Sequence, residues 1–244
     1  MATEVQRPSF YALEAGGWRD YVTLLHLPYT AWHLSYVAIG AALAPSLPLS
    51  RFLPTLAAFF LGLGIGAHAL DELNGRPLRT RIPDRVLVVL AVASLAGAVA
   101  IGIVGALTRD PWIFAFVGAG AFAAVAYNLE LFGGRFHGDA WFALFWGSFP
   151  VLTGYFAVAG TIRIEAVAAC VFAFALSLAQ RRLSTPVRDV RRRVRRVQGR
   201  IERSDGTAQK VDTDVLVGPA EGALRALTVA TVALALALVV LRLG

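Results

Sequence analysis

Val86-Leu-Val-Val-Leu-Ala-Val-Ala-Ser-Leu-Ala-Gly-Ala-Val-Ala-Ile-Gly-Ile-Val-Gly-Ala-Leu107 runs for 22 residues without a charge, between Asp84-Arg85 and Arg109-Asp110. A bilayer-spanning helix needs about 20 predominantly apolar residues, and this stretch meets that length. Working outward, similar stretches cover Leu27–Leu47, Pro54–Leu70, Pro111–Leu129, Ala140–Gly160, Ile164–Gln180 and Pro219–Leu241. Hydrophobic residues make up 57% of the chain and charged ones 16%, against roughly a quarter charged in an ordinary soluble domain. The fold class this predicts is all-α, a polytopic transmembrane bundle of about seven spans. Its divisions are an N-terminal cytoplasmic or interfacial segment 1–26, a six-helix core 27–180, a basic cytoplasmic loop 181–218 and a final span 219–244.

The first apolar stretch reads as a retained helix rather than a signal peptide. It begins well inside the chain, lacks a basic segment directly before it, and carries Tyr29, Trp32, His33 and Tyr36. The single cysteine, Cys170, allows no disulfide within one chain.

Basic residues set the expected orientation. Arg181–Lys210 holds eleven of the 23 Lys and Arg residues, and Asp71–Arg85 holds Arg76, Arg79, Arg81 and Arg85. Arg135 lies in a third segment, whereas the intervening connections carry only Arg51, Arg109 and Arg163. Cytoplasmic loops accumulate Lys and Arg. The amino terminus is therefore expected in the cytoplasm of a multi-pass protein of the cell membrane, and the carboxyl terminus outside. Nucleic acid is not the expected partner, because Arg181–Lys210 has no interleaved aromatic residue. Anionic lipid fits that segment better, at about 1 kcal/mol per basic residue near the surface.

Two polar stretches carry candidate chemistry. In the first, His68, Asp71 and Glu72 stand at i, i+3 and i+4, a spacing that places them on neighbouring positions of a helix. Carboxylates with one imidazole suit a hard cation such as Mg²⁺, and Arg76 and Arg79 follow with guanidinium forks suited to phosphate oxygens. In the second, Asp189 is surrounded by Arg188, Arg191, Arg192 and Arg193, and the stretch after Pro186 has the composition of a surface helix. The polar run 200–217, with Ser204-Asp205-Gly206, reads as a mobile loop. His137 and Asp139 read as structural, with Asp139 as a helix cap. His33 reads as a buried hydrogen-bonding residue unless it faces His68, and His26 lies seven residues before it.

Ala67-His68-Ala-Leu-Asp71-Glu72-Leu-Asn-Gly75, followed by Arg79-Thr80-Arg81-Ile82-Pro83, resembles the first motif of the UbiA-type intramembrane prenyltransferase superfamily. Val187-Arg188-Asp189-Val190-Arg191-Arg192-Arg193 is similar to its second motif. Ala126-Tyr127-Asn128, with Arg135 downstream, and Trp146-Gly-Ser-Phe-Pro150 through Gly160 follow in the family's order. Departures are visible: His68 and Gly75 replace acids of the first motif, and Pro186 and Arg193 those of the second. Fewer spans follow the second motif than in the family, which leaves a place for a membrane-protein partner.

The resemblance implies transfer of a prenyl group from an allylic (isoprenoid) diphosphate to a lipid or aromatic acceptor. Asp71, Glu72, Asp189 and His68 would hold Mg²⁺, and Arg76, Arg79, Arg135 and Arg188 the diphosphate. Asp71, Asp189 and Tyr127 would be catalytic, Tyr127 by sheltering the carbocation, with Trp32 and Tyr36 as looser aromatic candidates. The other reading is a non-catalytic relative, a membrane scaffold or lipid-binding subunit. An enzyme would bring Asp71 and Asp189 to one cavity, and a scaffold would not.

Overall fold

A computed structural model describes residues 7–244. The first six residues of the N-terminal segment 1–26 lie outside the described residues. The elements are α1 (Trp18–Leu24), α2 (Leu27–Leu43), α3 (Leu49–Leu73), α4 (Asp84–Thr108), α5 (Ile113–Asn128), α6 (Asp139–Ala159), α7 (Ile164–Arg193), β1 (Gly199–Glu202), β2 (Ala208–Val211) and α8 (Thr213–Leu243). Five of these, α3, α4, α6, α7 and α8, are long and apolar enough to cross a membrane. The other two expected spans are helical but shorter, 17 residues in α2 and 16 in α5.

α2 is the centre. A helix apolar on all sides belongs inside a bundle, and Trp32, Tyr36, Val37 and Ala41 are fully buried against α6 and α8. Small residues permit the approach. At Gly40 a Cβ would fall on the carbonyl of Val151, and at Gly154 one would fall on the carbonyl of Val37, so α2 and α6 touch backbone to backbone in both directions. Trp32 Nε1 donates to Tyr36 Oη at 2.7 Å, and Ser177 Oγ of α7 donates to the same oxygen at 3.2 Å. The outside of the bundle is aliphatic, with Val89, Val92 and Leu107 of α4 and Val229, Leu236 and Val240 of α8 all exposed.

The basic stretch differs from expectation. It is helix rather than loop as far as Arg193, because α7 continues through Pro186. A proline inside a helix removes one backbone hydrogen bond, and here the helix runs on for two further turns. Arg191, Arg192 and Arg193 close it, where the helix dipole favours cations. Beyond it β1 and β2 pair antiparallel, with Glu202 opposite Ala208. Gly206, at φ 83°, makes the turn, and Asp205 accepts from the amide and hydroxyl of Thr207 at 2.9 and 2.7 Å. Those bonds, the hydroxyl's first, hold the Asp205 carboxyl below its ordinary pKa. The stretch read as a mobile loop is thus a hairpin, and α8 starts at Thr213 rather than Pro219.

The segment before α2 folds back over the arginine-rich end. Asp20 accepts from the amides of Gly16 and Arg81, both at 3.0 Å, and Arg225 lies over the Phe10 ring at 5.0 Å.

Candidate functional site: a polar chamber at the arginine-rich end

Two segments of wider, π-helical winding shape the interior. In α3 the segment is Phe60–Ala67, which contains Gly62, Gly64 and Gly66, and in α6 it is Leu144–Ser148. Such segments recur at functional sites because they leave carbonyl groups without regular helical partners. His33 Nδ1 donates to the Trp146 carbonyl at 2.8 Å and His68 Nδ1 to the Gly64 carbonyl at 3.0 Å. His137 Nδ1 donates likewise to the Tyr127 carbonyl at 3.0 Å. A carbonyl can only accept, so in these three rings the proton is on Nδ1 and, when neutral, Nε2 keeps its lone pair.

These residues line one cavity of about 300 Å³, together with Asp71 of α3, Tyr127 of α5 and Arg181, Arg188 and Arg192 of α7. All four histidines of the chain reach it: His26, His33, His68 and His137. So do Tyr11 and Tyr29, and at its rim Arg193 and Glu130. Four arginines therefore face two carboxylates. His26 and His68 stack at 4.0 Å, and Tyr11 Oη lies 3.0 Å from His26 Nδ1. Burial, followed by the neighbouring His68, holds the His26 pKa well below 6.5, and burial pushes Tyr11 up to about 12. Tyr127 stacks on His137 at 4.4 Å and meets Trp146 edge-on at 5.5 Å. Three buried polar atoms on the lining have no hydrogen-bond partner among the described residues: His26 Nε2, Tyr127 Oη and Gln180 Oε1.

Of the residues expected to act in catalysis or to hold metal or diphosphate, His68, Asp71, Tyr127 and Arg188 come together here, beside His33 and His137, which the sequence offered as structural. The others stand elsewhere. Successive helical residues diverge by about 100°, so Glu72 turns away from Asp71. It is buried, and its carboxylate accepts from the Leu78 amide at 2.9 Å and from the Thr80 amide and hydroxyl at 2.8 Å. Arg76 binds the carbonyls of Thr80 and Ile82 and pairs with Asp84. Arg79 donates to the Arg192 carbonyl at 2.9 Å, and Arg135 is exposed. Asp189, next to Arg188, points outward, with its partner Arg193 at 3.5 Å, so Asp71 and Asp189 do not share the one cavity expected of a metal-dependent enzyme. Asp139 accepts from Arg181 Nε at 3.0 Å, and Gly138 rather than Asp139 occupies the capping position of α6. Trp32 and Tyr36 bond each other in the core and do not line the chamber.

Sequence reasoning missed Arg181 and Arg192. A signal was present: Arg181, Arg188 and Arg192 stand at i, i+7 and i+11, one stripe of a helix. Reading the stretch as a loop concealed it.

The donor set expected for Mg²⁺ is not assembled. Glu72 spends both oxygens on the following loop and Asp189 lies outside, leaving Asp71 and His68 among guanidinium groups. No group of three His, Cys, Asp or Glu among the described residues is placed to hold a metal ion. These residues do not fit a carboxylate-bridged divalent cation, and they do fit an anion.

A second cavity, of about 490 Å³, lies between α3, α4, α5 and α6 and is lined by apolar side chains such as Phe59, Leu95, Ile113 and Phe149. Leu63 and Trp146, one from each π-helical segment, line both cavities. No protein family, curated protein or solved structure matches this chain.

Proposed function

We propose that the protein is an integral membrane transferase that takes an isoprenoid diphosphate as donor and passes its prenyl group to an acceptor, holding the diphosphate by arginine rather than through metal ions. One observation carries the reading. A polar chamber lined by three arginines lies next to a larger apolar cavity, with Leu63 and Trp146 as the partition between them; an anionic head in the first and an apolar tail in the second require those two side chains to move apart. Guanidinium forks bind phosphate oxygens bidentately, so Arg181, Arg188 and Arg192 anchor the head and stabilise the charge that gathers on it as the allylic C–O bond breaks. The electron pair leaves with the diphosphate. The allylic cation is sheltered by the faces of Tyr127 and Trp146, and Asp71 takes the proton that the acceptor loses. Water is excluded by the aromatic wall and by the N-terminal segment bearing Tyr11.

In this reading the arginine-rich end faces the cytoplasm, with the amino terminus inside and the carboxyl terminus outside after seven crossings. α2 and α5, at about 1.5 Å per residue, come to roughly 25 Å. That is a few Å short of the hydrocarbon layer, within the mismatch a bilayer accommodates. The basic β1–β2 hairpin then lies against anionic headgroups.

The outward position of Asp189 favours a second reading, a relative that binds the amphiphile without transferring it. The deciding experiment is reconstitution with radiolabelled prenyl diphosphate, with and without EDTA, for wild type and Arg188→Ala. Transfer that survives EDTA and falls in the variant supports the enzyme. Retention without product supports the binding protein. Loss of wild-type activity on EDTA treatment overturns arginine-only anchoring.

A further inference from the structure

The chamber's arginines account for an anion, but three of its polar atoms remain unaccounted for. His26, Tyr127 and Gln180 are each more than nine-tenths buried, at 8%, 5% and 2% exposure. They come from three different elements: the residue before α2, the last turns of α5, and α7. Yet His26 Nε2, Tyr127 Oη and Gln180 Oε1 lie on the same cavity and lack partners among the described residues. Leaving one buried polar atom unsatisfied is costly, and leaving three on one surface points to a ligand that completes them.

The chemistry of these atoms restricts that ligand. Gln180 Oε1 can only accept, so its partner must bring a hydrogen-bond donor. A diphosphate offers acceptors, which can take the Tyr127 hydroxyl proton and a proton on His26 Nε2, but neither it nor its prenyl chain brings the donor that Gln180 Oε1 needs. An ammonium group would donate, but Arg181 is adjacent in sequence and Arg188 and Arg192 share the lining, so a further cation is repelled. A neutral hydroxyl remains. It can donate to Gln180 Oε1 and exchange hydrogen bonds with Tyr127 Oη and His26 Nε2, each of which has a partner-free site.

We propose that the chamber contains, beside its arginines, a subsite for a hydroxyl-bearing group, and that its ligand class is a phosphate ester of a polyol. This rests on the arginines holding phosphate, as proposed above, with Arg181, Arg188, Arg192 and Arg193 shared between the donor's diphosphate and the acceptor's phosphate, and it adds the chemical class of the acceptor: hydroxylated and polar rather than an apolar ring.

The test uses the full chain in lipid nanodiscs and two probes, methyl phosphate and myo-inositol 1-phosphate, titrated by calorimetry. Both carry the same anion, and only the second carries free hydroxyls. Wild type is expected to bind the inositol ester at least tenfold more tightly, since two or three neutral hydrogen bonds are at stake. Gln180→Met, which keeps the side-chain length, should remove most of that advantage and leave methyl phosphate within about twofold. Equal affinity of wild type for the two probes overturns the proposal and means that water alone fills the subsite. That comparison needs no variant. If neither probe binds, the arginine reading fails as well. If Gln180→Met weakens both probes equally, the hydroxyl subsite is wrong while phosphate binding stands.

Discussion

The imidazole rings of His26 and His68 lie face to face, 4.0 Å between centroids and 8° from parallel, although the two residues are 42 positions apart. Two cations cannot share that spacing in a buried setting, so at least one of the rings is neutral. His26, whose pKa burial and His68 push well below 6.5, enters the fold uncharged. A group held neutral in the folded state binds more protons when unfolded, so stability falls as pH drops through 6.5. Thermal unfolding in detergent at pH 7.5 and 5.5 should show a fall in Tm for wild type that His26→Gln reduces. An equal fall in both proteins would remove His26 as the cause.

Arg188 is expected to dominate anion binding, because it lines the chamber while Arg79 and Arg135 do not. Arg188→Ala should weaken inorganic diphosphate binding by about tenfold to a hundredfold, the range for a charge-assisted hydrogen bond. Arg135→Ala should change it by less than about twofold. Comparable losses in the two variants, read by equilibrium dialysis, would mean that diphosphate binds outside the chamber.

Glu72 acts as a latch on the loop between α3 and α4. Glu72→Ala strands the amides of Leu78 and Thr80, at an expected cost of about 2–4 kcal/mol. Hydrogen exchange at those two amides should rise sharply, and it should do so equally with or without Mg²⁺. Protection by Mg²⁺ in wild type would restore Glu72 as a metal ligand.

The crossing of α2 and α6 tolerates no added carbon. Gly154→Val drives a side chain into the Val37 carbonyl and should cost about 1–3 kcal/mol or prevent folding. Gly118→Ala in α5, where nothing lies within 4 Å of the added Cβ, should stay within about 0.5 kcal/mol of wild type. Unfolding midpoints of the pair measure the difference.

Helical segments were legible in the sequence wherever apolar length alone decides them, as at Val86–Leu107. The ends were harder, because arginine favours both a loop at a membrane face and the last turns of a helix; α7 takes the second course and ends on Arg191, Arg192 and Arg193, beyond Pro186. The site was half legible. Spacing found His68 and Asp71, and the resemblance pointed to Arg188 and Tyr127, but neighbours in sequence point in different directions on a helix, which sends Glu72 and Asp189 elsewhere. Tyr11, His26 and His137 reach the chamber through chain reversals, His26 itself at φ 45°, and no periodicity announces those.

Confinement of every imidazole to one compartment makes the chain self-reporting. A single isotope label on histidine would yield a spectrum with four ring signals, each arising from the compartment wall. Ligand entry, protonation or a shift of the N-terminal cover could then be followed residue by residue in an otherwise silent hydrocarbon-rich protein.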